Sequence, residues 1–158
     1  MRLPSLRVIA AVELLGGAYC VIAGLYMGGS LGLVQGWLFT VVLGGGGVLA
    51  GYWLWRGDAR GVRLSILVQA LALVQLVVPR AGFVALFGPS IVMGFRGTSS
   101  FAFRVAMEPE LYLAVGHHSD PFRLEFNLLA LAFVLTLWRA RASIAAPARE
   151  SASDAPAV

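Results

Sequence analysis

The sequence has no lysine, one cysteine and few charges of either sign. A single Cys20 excludes a disulfide-stapled scaffold. Cys20 follows Tyr19 rather than a small residue, so it does not read as a lipoprotein acylation site. All twelve basic residues are arginine, and the formal charge is +4. The densest basic stretch, Arg56 to Arg63, holds three arginines and an aspartate. That is too sparse for a nucleic-acid footprint or a polybasic lipid-binding segment, and no nucleic-acid partner is expected. Also missing are H-E-x-x-H, paired C-x-x-C, G-x-S-x-G and any phosphate loop, so no catalytic residue and no cofactor is assigned. Charged residues make up 13% of the chain, about half the usual share of a soluble domain.

What is present is apolar. Of 158 residues, 59% are hydrophobic, more than a domain this small can bury in water. The composition predicts an integral protein of the cell (plasma) membrane.

No charge occurs from position 14 to position 55. About 20 apolar residues cross a bilayer core, so this stretch predicts two spans, near 8–27 and 33–55, parted at Gly28-Gly29-Ser30. The first is too long for a signal-peptide core of about 7–15 residues and reads as retained. A third span is expected near 63–78, stopped by Pro79, and a fourth near 127–140, with Asn127 as N-cap. Arg2 and Arg7, then Arg56, Arg60 and Arg63, then Arg139 and Arg141 fall on one side of such an arrangement. That side is cytoplasmic by the arginine rule and holds both termini. Trp53, Trp55 and Trp138 mark its interface.

Between about 90 and 126 the period changes. Ile91, Met93 and Phe95 alternate with small or polar neighbours, as do Phe101, Phe103 and Val105, then Leu111 and Leu113, then Phe122, Leu124 and Phe126. Period two over short runs predicts half-buried strands, and the segments around Gly97, Pro109 and His117–Pro121 predict turns. An antiparallel meander of three to four strands is expected outside the membrane. Its apolar face would lie on the helix ends and its other face in water. A re-entrant segment over Gly82–Phe95 is the alternative for its first part. The expected fold is thus a four-transmembrane-helix bundle, mainly α, with a small antiparallel β-meander between helices 3 and 4. It forms one membrane domain over 1–141, with 142–158 as a disordered cytoplasmic tail.

Few residues carry chemistry. Glu13 is the lone acid within an expected span, and an intramembrane carboxylate is by default a functional hypothesis. Glu13 lies six residues past Arg7 and Gln69 six past Arg63, about 9 Å along each helix from the same side, so the two could meet in the bundle. The plain reading is a buried structural hydrogen bond; the sharper ones are proton or ion handling and recruitment of a partner. Gln75, about 120° from Gln69 on the expected helix, would bond separately. Gly17, Gly24 and Gly28, with Gly36, Gly47 and Gly51, line helix faces suited to close packing. The Gly44–Gly47 run could instead break a helix. His117, His118 and Asp120, with Glu108 and Glu110, show no recognised ligand spacing, so no metal site is assigned. The expected function is a multi-pass accessory or structural subunit that packs against another membrane protein or a second copy, with the lipid bilayer as its other partner. The alternative is a small transporter or proton-linked permease using Glu13 and Gln69.

Overall fold

The computed structural model describes the backbone of residues 4–31, 34–86, 88–97, 100–107, 110–115 and 121–153, and side chains within these ranges except 27–39, 111–112, 114–115 and 142–153. Helix α1 (Pro4–Leu31) is followed by α2 (Val34–Arg56) and α3 (Ala59–Leu71). Six strands come next: β1 (Val74–Val78), β2 (Ala81–Leu86), β3 (Ser90–Arg96), β4 (Ser100–Ala106), β5 (Glu110–Val115) and β6 (Arg123–Asn127). Helix α4 (Leu128–Ser153) closes the order.

This architecture corrects the four-span bundle. Among the described residues one helix, over Pro4–Tyr26, is long and apolar enough to cross a membrane. The third expected span is two elements: α3 has 13 residues, and β1 takes up the second half of 63–78. Val74–Val78 has Gln75 as its one polar residue, too little alternation to tell a strand from a buried helix, and Pro79 stops either. The insert is likewise no meander of three to four strands. It is a six-stranded antiparallel sheet that begins at Val74, in the order β4-β3-β6-β1-β2-β5. Gly82–Phe95 forms strands β2 and β3 with the turn between them, not a re-entrant segment. Helix α4 runs to Ser153, through most of the stretch expected as a tail; 154–158 lie outside the described residues.

Small residues set the helix contacts. A Cβ on Gly17 would lie 2.6 Å from the Gly44 carbonyl oxygen, and one on Gly51 would lie 2.7 Å from that of Ala10. α1 and α2 therefore touch backbone to backbone, as small-residue faces permit. The α2–α3 corner is equally tight. Gly57, at φ 77°, follows the last turn of α2; its N–H bonds Leu54 O and that of Asp58 bonds Trp53 O, a Schellman ending. Asp58 then caps α3 by accepting from Arg60 N at 2.8 Å. Asn127 caps α4 through Leu129 N and Ala130 N.

Where α1 begins and α2 ends, Arg7 stands over Trp55, and Arg56 over Tyr52; on α4, Arg141 stands over Trp138. The sheet joins the helices at their other end, after α3 and before α4. One apolar cluster links the layers: Cys20 of α1, Ala50 of α2, Val68 of α3, Ala85 of β2 and Ala130 of α4.

Candidate functional site: two buried polar clusters

Among the described residues seven polar residues are buried; five of them fall in two groups, while Asn127 caps α4 and Ser90 stands apart on β3. The first lies among the helices. Glu13 is fully buried, and its carboxylate accepts a hydrogen bond from Ser65 Oγ at 2.6 Å and from Gln69 Nε2 at 3.0 Å. Ser65 and Gln69 are four residues apart on α3, which puts them on one face. From behind, α2 backs this turn of α1, with Gly47 against the Glu13 carbonyl. The structure thus brings together Glu13 and Gln69. Ser65 completes the cluster and was missed, although its i, i+4 spacing to Gln69 was legible. Among the described residues no arginine pairs with Glu13, so the carboxyl is held by two neutral donors. Such a group can keep or exchange a proton, and among the described residues no second acid is hydrogen-bonded to it.

The glycines divide. Gly17, Gly24, Gly47 and Gly51 lie in the α1–α2 contact, where Gly24 meets the Thr40 side chain. Gly28 and Gly36 are in helices, at positions whose packing lies outside the described residues. Gly45 and Gly46 face open space inside an unbroken α2, so the four-glycine run does not break the helix.

The second cluster is in the sheet. Cross-strand partners share a face, and the register separates the two faces cleanly. One carries Gln75, Glu125, Arg123, Arg96, Arg104 and Glu110, and it is turned inward. Arg123 is the hub: it donates to Glu125 at 2.7 Å, to Glu110 at 2.6 Å and to Gln75 Oε1 at 2.9 Å. Arg96 also donates to Glu125, and Arg104 Nη2 to Glu110 at 3.0 Å. Two arginines thus converge on each carboxylate, Arg123 and Arg104 on Glu110, Arg96 and Arg123 on Glu125.

The Arg104–Glu110 pair has a geometric meaning. Those residues are on β4 and β5, the two edges of a six-stranded sheet. Flat, the edges would be about 24 Å apart at the usual strand spacing. The sheet must therefore curl around its charged face. The expectation of an apolar face on the helices and a wet face outside is thus reversed over most of the sheet. Alternation in the sequence gives two faces without saying which way the sheet bends.

The opposite face is apolar across its whole width. Leu113, Phe83, Leu76, Leu124, Phe95 and Phe101 form one row over all six strands. Phe83 packs toward the helices, while Phe95 and Phe101 stand edge to face and more than half exposed. Gln75, expected on the third helix, is part of the sheet cluster instead. Among the described residues no group of three His, Cys, Asp or Glu side chains could hold a metal. His117, His118, Asp120 and Glu108 lie outside the described residues. No protein-family model, curated protein or solved structure matches this chain.

Proposed function

We propose that the chain is an integral protein of the plasma membrane that acts as an accessory subunit, packing against another membrane protein or a second copy of itself. The observation that carries this reading is the inverted distribution of polarity. Leu15, Ile22 and Tyr26 on α1, Val42 and Trp55 on α2, and Leu131, Leu135 and Trp138 on α4 are exposed, while Glu13, Gln69, Gln75 and Glu125 are buried. Monomeric soluble proteins rarely show contiguous apolar patches above a few hundred Å². Helix α2, charged only at Arg56, accompanies α1 through the bilayer as a hairpin. Arg7, Arg56, Arg60, Arg63, Arg139 and Arg141, with Trp55 and Trp138 beside them, support a topology with both termini in the cytoplasm. What supports a subunit rather than an enzyme is that the carboxylates of both clusters, Glu13, Glu110 and Glu125, take hydrogen bonds from side chains of the chain itself.

Extraction tests the reading. The chain should stay in membranes through alkaline carbonate, and gentle-detergent purification should yield a stoichiometric partner or a homo-oligomer. Release by carbonate would overturn membrane integration; a detergent-stable monomer alone would overturn the subunit assignment.

The sealed Glu13–Ser65–Gln69 cluster favours a second reading, proton-linked transport through the helices. Glu13→Gln keeps the shape and one acceptor. It should abolish a proton-dependent flux on that reading and shift only stability or assembly on the first. If neither changes, Glu13 belongs to neither.

A further inference from the structure

The sheet's position along the α1–α2 hairpin adds a constraint that its own polarity answers. Arg7 marks the charged end of α1 beside Trp55. Gly16, nine residues on, is about 14 Å further along the axis. Gly88, in the turn between β2 and β3, approaches it, with the Gly16 Cα 3.9 Å from where a Gly88 Cβ would be. Cys20, about 20 Å from Arg7 by the same rise, shares a cluster with Ala85 of β2. A hydrocarbon core is about 30 Å thick. Strands that touch α1 at these levels lie at the depth of the middle and far half of that core.

The short helices agree. From Leu128 to Trp138, α4 covers about 16 Å before Arg139, and α3 is of similar length. Each crosses about half the core, and the sheet fills the other half. At that depth a β-structure must keep its charges inside and its apolar side chains outside. The centre of this sheet follows that pattern: Arg123, Glu125 and Gln75 are within the curl and Phe95, Phe101, Phe103, Val105 and Phe126 are outside, while Arg96 at the end of β3 stays partly exposed beside Glu125. Between the outer face and α4 runs a groove of about 510 Å³, lined by Leu73, Met93, Phe95, Phe126, Leu128 and Leu131. It carries no charge, and it is continuous with the exposed Leu131, Leu135 and Trp138 stripe of α4. Asn127, the polar side chain on its wall, is committed to capping α4.

We propose that the outer face of the sheet, centred on this groove, is a lipid-binding surface that takes the acyl chains of bilayer phospholipids. The proposal rests on the hairpin being in the membrane. A second copy or a protein partner on the same face is an outcome that the test separates.

The full chain, in a Cys20→Ala background, is reconstituted in phospholipid nanodiscs and spin-labelled at one site at a time: Phe126→Cys, Phe103→Cys, Leu15→Cys, Ile22→Cys and Arg60→Cys. Each label's collision rate is read with oxygen, which concentrates in lipid, and with a water-soluble nickel chelate. Expected is an oxygen-to-nickel ratio at 126 and 103 that matches Leu15 and stands several-fold above Arg60. Nickel access at 126 and 103, with Leu15 and Ile22 still oxygen-rich, would overturn the lipid surface and leave the membrane reading intact. Low access to both probes there would also overturn it, in favour of a protein cover. Nickel access at Leu15 and Ile22 would remove the membrane reading itself. A Phe126→Trp variant in a background with Trp37, Trp53, Trp55 and Trp138 replaced by phenylalanine, quenched by phospholipids brominated on the acyl chains, is a check independent of spin labelling. Quenching is expected, and its absence with native far-UV circular dichroism would count against the groove.

Discussion

Gly17 and Gly51 sit where one methyl group would meet the opposite backbone, and Gly46 on the same helix as Gly51 faces nothing. The three therefore separate packing from propensity. Gly51→Val forces α1 and α2 apart and should cost about 1–3 kcal/mol, the usual penalty of overpacking. Gly46→Ala should be neutral or stabilise by up to about 1 kcal/mol, because a helical glycine is replaced with no clash. Reversible unfolding in mixed micelles measures both, and equal effects would show that the contact does not govern the hairpin. At Glu13 the cost is polar. Glu13→Leu leaves Ser65 and Gln69 as buried donors without an acceptor and should destabilise by about 1–3 kcal/mol. Adding Ser65→Ala should recover part of it in a double-mutant cycle, and strict additivity would mean the hydrogen bond contributes nothing. The Glu13–Gln69 meeting was legible because two arginines gave both helices a common origin for counting residues.

The sheet behaves as a unit through Arg123. Replacing it with methionine keeps the stem but leaves Glu110 and Glu125 short of a partner. Loss of one side of such a buried pair costs about 3–5 kcal/mol, seen as a lower midpoint in denaturant. Alternation along Phe122–Phe126 revealed a two-faced strand. The partner strands, the β1 segment hidden in a mostly apolar run, and the sense of the curl are tertiary facts that no window of residues contains.

Across the whole molecule the sequence announced an apolar surface and one charged end, and the structure has both: Arg56 and Arg60 at the α2–α3 corner and Arg139 and Arg141 on α4 are all exposed. What composition could not divide was the apolar content itself, since phenylalanine serves the exposed face of a strand as well as a helix. The proposed topology puts these arginines on one side. Cysteines placed at 60 and 141 should react with an impermeant maleimide only after cells are opened, and labelling from opposite faces would sink that topology.

The position of β6 has a consequence for biogenesis. The last strand of the chain lies between β3 and β1, near the centre of the sheet, and it joins two hairpins, β1–β2 and β3–β4, that otherwise share no edge. While translation has not passed Asn127, both hairpins wait with unpaired rims, open to wrong pairing. Arrival of Arg123–Asn127 supplies at one stroke the missing strand, the hub arginine and the start of α4. Completion of the sheet and the start of α4 would then be a single late event, and a nascent chain stalled before residue 123 should be a protease's preferred form.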